Sequence, residues 1–183
     1  MILPIYIYGS GVLRKECQEI DQSYPELGKL IEDMFTTMYA SEGVGLAAPQ
    51  IGKDIRLFVV DGTPFEDVDP TAKDFKKVFI NPEIYEESEE EVLMNEGCLS
   101  VPGIHEDVYR PETIRINYLD ENFEEHDEEL TGWPARIVQH EYDHLDGLVF
   151  TDRLSTIRKT MLRNKLNAMA KGKYSCAYRS KQK

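Results

Sequence analysis

The chain has 183 residues, of which 41% are hydrophobic and 30% are charged, and its net charge is −13. This length is typical of a single domain that buries its own core, so we expect residues 1–183 to form one domain of ordinary globular composition. No segment is long and apolar enough to cross a membrane, which predicts no membrane partner, and three cysteines favour the reducing cytoplasm over a disulfide framework.

The first predicted elements are a helix and a strand. Ser23 and Glu26 have the spacing of a capping box, and Gly43 is expected to end the helix that follows. The apolar stripe of this helix has helical spacing and consists of Leu27, Leu30, Ile31, Met34, Phe35 and Met38. Ile55–Asp61 is β-branched and aromatic, which predicts a buried strand, and the acidic stretch Asp61–Asp74 predicts a loop.

The second half of the chain alternates strands and helices. Phe79–Tyr85 and Ile114–Leu119 are predicted strands, and a turn signal at Asp120 predicts a hairpin over Ile114–Leu130. Trp133–Leu145 predicts a helix closed by Gly147. Ser155–Ala170 predicts a final basic helix whose inner side carries Ile157, Met161, Leu162 and Leu166, followed by a loose basic tail over 171–183. We therefore predict an α+β fold, with mostly antiparallel sheets packed around the Trp133–Leu145 helix.

The stretch from His140 to His144 reads H-E-x-x-H within that helix. Residues four apart share one helix face, so both imidazoles can bind the same metal ion. Glu141 lies beside such an ion without having to bind it, so it can take a proton from water. The motif predicts a metal-dependent hydrolase.

The third metal ligand is expected to be Cys98. No Glu follows Glu141, and Phe150 stands where an extended zinc-protease motif requires a histidine. His105 and His126 are predicted to be ordinary surface histidines. Cys98 lies between a flexible Gly97 and a stiff Pro102, and one thiolate with two imidazoles leaves a tetrahedral site with an open position.

A small, apolar segment runs from Gly43 to Gln50. Its glycines allow a backbone to come close to a ligand or to adopt positive φ. Gln50 ends the segment with an amide that can donate a hydrogen bond to a developing oxyanion.

These three segments together resemble peptide deformylase. The family pattern is G-x-G-x-A-A-x-Q, then E-G-C-x-S, then H-E-x-x-H, and the chain carries it at Gly43–Gln50, Glu96–Ser100 and His140–His144. The resemblance implies removal of the formyl group from N-terminal formyl-methionine of newly made polypeptides. It also implies Fe²⁺ as the metal, with Ni²⁺, Co²⁺ or Zn²⁺ able to replace it, and a second oxyanion donor in the backbone N–H of Leu99. The expected substrate-binding residues are Gly43, Val44, Gly45, Gly97, Trp133, Arg136 and Ile137, with Arg136 at the pocket rim.

The basic segment over 151–183 contrasts with the acidic remainder of the chain. It carries ten Lys or Arg and one acid, so its net charge is +9. Because the whole chain has a net charge of −13, the remaining residues carry −13 − 9 = −22. Such a segment favours an anionic partner, and the resemblance suggests the ribosome and its RNA. A solvated surface helix without a specific partner is the alternative.

Two other functions are compatible with H-E-x-x-H. A structural zinc site in a ribosome-associated binding module would need a fourth protein ligand and would have no use for Glu141. A zinc endopeptidase would need the downstream ligand that the chain lacks.

Overall fold

The computed structural model describes residues 1–183 and contains three helices and nine strands. The helices are α1 (Leu27–Ala40), α2 (Gly132–Leu145) and α3 (Thr156–Ala170). The strands are β1 (Ile5–Tyr6), β2 (Gly45–Ala47), β3 (Leu57–Asp61), β4 (Lys76–Glu87), β5 (Glu91–Cys98), β6 (Val101–Pro111), β7 (Thr113–Leu119), β8 (Glu125–Thr131) and β9 (Ser180–Lys181). Short 3₁₀ turns connect several of them, including Ala48–Ile51, Thr63–Phe65 and Pro70–Ala72.

Antiparallel pairing dominates the sheets. A five-stranded sheet has the order β2-β3-β4-β7-β8, β5 pairs with β6 in a separate hairpin, and β1 pairs with β9 in parallel. The predicted hairpin over Ile114–Leu130 is present as β7 and β8. The α+β prediction is confirmed.

The five-stranded sheet lies between two apolar cores, as the alternation of side chains along β3 shows. Leu57 and Val59 pack on one face with the apolar stripe of α1, whereas Phe58 and Val60 pack on the other face with α2. Successive strand residues point to opposite faces, so a continuous apolar run is needed when both faces are covered. This packing buries α2 in the centre of the molecule.

Both ends of α2 are fixed by neighbouring loops. Asp69, in the predicted loop over 61–74, accepts a hydrogen bond from the Trp133 amide at 2.7 Å and so caps the first turn. Gly147 has a φ of +75°, and the Leu148 amide bonds back to the Asp143 carbonyl at 2.9 Å. The helix therefore begins one residue before the predicted Trp133 and ends at the predicted Leu145.

The capping box predicted for α1 is wrong. The hydroxyl of Ser23 bonds to the carboxylate of Asp21, and Glu26 precedes the helix in a left-handed conformation without a side-chain cap. Short polar side chains often form such local bonds in preference to a helix cap.

Two predictions about the last fifth of the chain are also wrong. The inner side predicted for α3 is wrong at Ile157 and Met161, which are 74% and 66% exposed, and right at Leu162 and Leu166, which pack on the core beside Met169. The segment 171–183 is not a loose tail: its strand β9 pairs with β1, and Gln182 bonds to the carbonyls of Tyr8 and Met169. None of the three helices combines the length and the apolar character that a bilayer crossing requires.

Candidate active site

The three predicted metal ligands converge in the structure. Cys98 is the last residue of β5, and His140 and His144 lie one turn apart on α2. Their ligand atoms all lie within 4.8 Å of one another, and the Cys98 sulfur is 3.4 Å from His144 Nε2. One thiolate and two imidazoles are a donor set suited to a tetrahedral divalent ion with one open position. The residues present therefore fit the predicted metal.

Glu96 orients the first of the two histidines. Its Oε1 lies 2.8 Å from His140 Nδ1, so Nε2 is the nitrogen that remains for a metal. Burial opposes the ionised form of Glu96, but hydrogen bonds from His140 and Arg110 hold its pKa well below the usual range. Burial lowers the pKa of His144 to about 3, so this ring stays neutral, as a ligand must be.

A buried ion network supports Glu96 from behind. Arg110 donates two hydrogen bonds to Glu96 at 2.6 and 2.9 Å, and a third to Asp143 at 2.9 Å. Arg153 closes the network with two bonds to Asp143 at 2.6 and 2.7 Å. Buried charges are tolerated when each is paired and hydrogen-bonded, so the network forms a rigid base for the metal helix.

Arg136 is a further member of this network. It is 3% exposed, and its guanidinium donates to Glu96 and to the carbonyls of Val92 and Val108 at 2.7 to 2.9 Å. Although Arg136 borders the cavity, every one of these bonds points into the protein. Arg136 therefore supports Glu96 and also lies at the cavity, and its contact with substrate stays a prediction.

Glu141 lies against the backbone of β2. A Cβ atom built on Gly45 would come within 2.6 Å of Glu141 Oε1, so glycine is needed here to admit the carboxylate. Burial raises the pKa of Glu141 to about 7, and its Oε2 is buried without a hydrogen-bond partner. A carboxyl group in this state, beside side chains that can hold a metal ion, can accept or donate a proton near neutral pH.

Gln50 presents its amide to the same cluster. It lies in the 3₁₀ turn after β2, where its Oε1 accepts a hydrogen bond from the Ala47 amide at 2.9 Å. This bond fixes the side chain so that Nε2 lies 3.5 Å from the Cys98 sulfur and 3.2 Å from the Ser100 hydroxyl. A donor is thus held beside the proposed metal position.

A cavity of about 690 Å³ opens onto the cluster. All seven predicted substrate-binding residues line it, together with Cys98, Leu99, His140 and Glu141. Phe65, from the loop over 61–74, stacks on Trp133 with ring centroids 4.1 Å apart and completes one wall. Sequence reasoning missed Phe65, His105 and Tyr178 as lining residues, since no local pattern connects them to the motifs.

Comparison with known proteins supports the resemblance that the motifs suggested. The family model described as Polypeptide deformylase matches residues 2–160. The chain belongs to the peptide deformylase family. It is 49% identical to a peptide deformylase of Christiangramia forsetii, covering 98% of this chain and 95% of that protein. A second relative, from Salinibacter ruber, is 49% identical and covers 97% of this chain and 93% of its own length.

Solved structures of the family share the fold. A Thermotoga maritima peptide deformylase is 39% identical with a TM-score of 0.76, covering 85% of this chain and 99% of that chain. A Plasmodium falciparum peptide deformylase is 36% identical with a TM-score of 0.82, covering 92% of this chain and 95% of that chain. Family membership confirms the prediction that the chain is a deformylase.

Proposed function

We propose that this chain is a metal-dependent hydrolase that removes the formyl group from N-terminal formyl-methionine of newly made polypeptides and releases formate. The observation that carries the proposal is the convergence of three metal-ligand side chains, two of which line a single cavity together with Glu141 and Gln50. Residues 1–183 act as one catalytic domain in this proposal, in the cytoplasm where nascent chains appear.

Cys98, His140 and His144 would hold the metal, for which Fe²⁺ is the proposed native ion and Ni²⁺, Co²⁺ or Zn²⁺ are substitutes. When bound, the ion would polarise the formyl carbonyl and lower the pKa of water, which makes hydroxide available near neutral pH. The Glu96 hydrogen bond keeps the His140 ring turned so that Nε2 faces the cluster. This orientation would be held before the ion arrives.

Glu141 is proposed as the general base and acid. It takes a proton from the attacking water as a bond forms between the water oxygen and the formyl carbon. It then gives that proton to the amine nitrogen as the carbon–nitrogen bond breaks, so formate and a free amino terminus leave. Its close contact with Gly45 fixes the carboxylate next to the cavity.

The negative charge that develops on the formyl oxygen would be stabilised by two donors. One is the Gln50 amide, whose orientation is set by the Ala47 amide. The other is the backbone N–H of Leu99, which directly follows the Cys98 ligand. Donors fixed in advance at such a position lower the barrier without reorganisation during the reaction.

The methionine side chain is proposed to enter the apolar part of the cavity. Val44, Trp133 and Ile137 provide apolar surface there, and Phe65 extends it by stacking on Trp133. Gly43, Gly45 and Gly97 give room for the substrate backbone.

The ribosome is the proposed partner for the basic segment over 151–183. Lys159, Arg163 and Lys165 are exposed on α3, next to the exposed Ile157 and Met161. Basic side chains around apolar ones suit a surface of RNA and protein. Co-sedimentation with ribosomes should weaken when Lys159 and Arg163 are both changed to Glu; unchanged co-sedimentation would favour a solvated helix.

The two alternative functions receive less support from the site. A structural zinc site is closed by four protein ligands, whereas this cluster has three, of which Cys98 and His140 line an open cavity. A zinc endopeptidase would cleave internal peptide bonds of casein, which the proposed deformylase would leave intact.

The proposal is tested by formate release from formyl-Met-Ala-Ser, with protein loaded with nickel or, without oxygen, with ferrous ion. Acetyl-Met-Ala-Ser is the matched control, because it differs by one methyl group at the reacting carbonyl. We expect rapid formate release and little acetate release. A tightly bound metal without any formate release would contradict the proposed function.

A further inference from the structure

The segment from Tyr174 to Gln182, here named the returning segment, runs back over the molecule and reaches the active-site cavity. The Ile5 amide donates a hydrogen bond to the carbonyl of Arg179, which precedes β9, at 2.9 Å, and the Ile7 amide donates to the carbonyl of Lys181 in β9 at 3.0 Å. Its residues Ser175, Cys176 and Tyr178 line the cavity. The segment is therefore fixed at β1 and contributes a wall to the site.

Tyr178 makes the one side-chain hydrogen bond from this segment to the motif that carries Cys98. Its hydroxyl donates to the carbonyl oxygen of Leu99 at 2.5 Å. Burial raises the pKa of the Tyr178 hydroxyl well above its ordinary value, so it remains a donor throughout the physiological pH range. The bond thus joins the returning segment to the residue whose N–H is the proposed oxyanion donor.

Leu99 needs such a partner because of where it lies. Cys98 pairs with Val101 across the hairpin, so Leu99 and Ser100 form a two-residue turn outside the ladder of β5 and β6. Their carbonyl groups have no sheet partners and must be satisfied from elsewhere. The Tyr8 amide donates to the Ser100 carbonyl at 2.8 Å, and Tyr178 donates to the Leu99 carbonyl.

The two external donors belong to one unit. Tyr8 follows β1, which pairs with β9, and the Gln182 side chain donates to the Tyr8 carbonyl at 3.0 Å. The Leu99–Ser100 turn is thereby held by the paired first and last strands rather than by its own hairpin. The Leu99 side chain is confined as well, since a Cβ atom on Gly43 would come within 2.9 Å of its Cδ1.

We propose that Tyr178 is a positioning residue for the reaction: by holding the Leu99 carbonyl, it sets the orientation of the Leu99 N–H towards the developing oxyanion. This inference rests on the proposed function. A misdirected donor weakens the stabilisation of the transition state, where the negative charge develops, more than it weakens binding of the substrate. The rate constant of the chemical step therefore falls, whereas the affinity for peptide does not change.

The test compares Tyr178→Phe with Tyr174→Phe in the metal-loaded protein. Both changes remove one hydroxyl from the returning segment, and the Tyr174 hydroxyl bonds to Ser180 at 2.9 Å, away from the cavity. For Tyr178→Phe we expect kcat on formyl-Met-Ala-Ser to fall by about tenfold, which is less than the ~100-fold for outright loss of a donor. KM, metal content and Tm should stay near wild-type values, and Tyr174→Phe should keep wild-type kcat.

A second readout does not depend on turnover. In the zinc-loaded protein, the backbone order parameters of Leu99 and Ser100 should fall in Tyr178→Phe from the ~0.85 of rigid backbone, and stay unchanged in Tyr174→Phe. Unchanged kcat together with unchanged order parameters in Tyr178→Phe would overturn the positioning role. Equal losses of kcat and Tm in both variants would assign the hydroxyl a structural role only and would also overturn it. An inactive wild-type enzyme would refute the proposed function instead, and the order parameters would still report on the hydrogen bond.

Discussion

Replacement of Gly45 by alanine tests whether the position of Glu141 is what makes the site active. Neither Gly45 nor Gly43 has a positive φ, so alanine fits the backbone at 45 without strain. The obstacle is the carboxylate: the new methyl carbon would lie 2.6, 2.8 and 2.9 Å from Oε1, Cγ and Cδ of Glu141. Ordinary contact begins at 3.4 Å, so the carboxylate has to move by about 0.8 Å.

A displacement of this size is expected to reduce the rate strongly and the stability modestly. A misplacement of about 1 Å at a reacting group can cost about 100-fold in rate. Extra volume in a packed region lowers the unfolding free energy by about 1–3 kcal/mol. This is less than the total of about 5–15 kcal/mol for a typical domain, so the variant should stay folded. His140 keeps its bond to Glu96, so the variant should still bind metal.

The assay is kcat on formyl-Met-Ala-Ser at measured metal stoichiometry, with a crystal structure of the variant to locate the Glu141 carboxylate. Gly28→Ala is the matched control, because a Cβ atom at this position meets nothing within 4 Å. We expect full metal content in both variants and the loss of rate in Gly45→Ala alone. A Gly45→Ala protein with a displaced carboxylate and wild-type kcat would refute the role assigned to Glu141.

Four further predictions follow from the site. Gln50→Ala should keep its metal and lose about 100-fold in kcat, because it lacks one oxyanion donor; an unchanged rate would rule out that role. Glu141→Ala should also keep its metal and lose nearly all turnover, and a wild-type rate would remove the general base. The iron form should lose activity in air faster than the nickel form, because ferrous ion, unlike Ni²⁺, reduces oxygen next to the Cys98 thiolate and so exposes it to oxidation; equal decay would count against this. Asp69→Ala should lower the unfolding free energy by about 1 kcal/mol at pH 7, because α2 loses its cap. Partial burial raises the pKa of Asp69, but hydrogen bonds from Thr71 and the Trp133 amide outweigh this effect and hold the pKa below its usual value. Its stabilisation is therefore complete above the unfolded pKa of about 3.9 and is lost as the pH falls through the folded pKa, so denaturation curves of variant and wild type should converge in acid.

The metal ligands and the general base could be predicted because their signals are local. His140, Glu141 and His144 lie within one helical turn, and the period of the helix fixes which side chains share a face. Cys98 could be chosen by excluding other ligands, and the fold class followed from the order of strand and helix patterns. These signals need no information about which distant residues meet.

The ion network behind the site could not be predicted because its members meet only in the folded chain. Glu96 pairs with Arg110 and Arg136, which lie 14 and 40 residues away on different elements. In the sequence Arg110 resembles an ordinary surface charge, and only its burial shows its role. Glu96 belongs to a family motif and Arg136 was predicted at the rim of the pocket, but neither pattern indicates that the two side chains form an ion pair.

The α3 helix shows a second kind of limit. Helical spacing predicted an inner side of Ile157, Met161, Leu162 and Leu166, but spacing does not show how much of it a neighbouring element covers. Leu162 and Leu166 pack on the core beside Met169, whereas Ile157 and Met161 are exposed. The returning segment was missed for a similar reason, since the pairing of β1 with β9 joins two-residue strands from opposite parts of the chain.

The central claim is that Cys98 is the third ligand of a metal that carries out deformylation. The most direct test measures bound nickel and formate release in the same samples of wild type, Cys98→Ala and Cys17→Ala, the last being a cysteine buried in the core away from the cluster. We expect one metal per chain and rapid turnover in wild type and Cys17→Ala, and loss of both in Cys98→Ala. Full metal content with wild-type turnover in Cys98→Ala would contradict the claim.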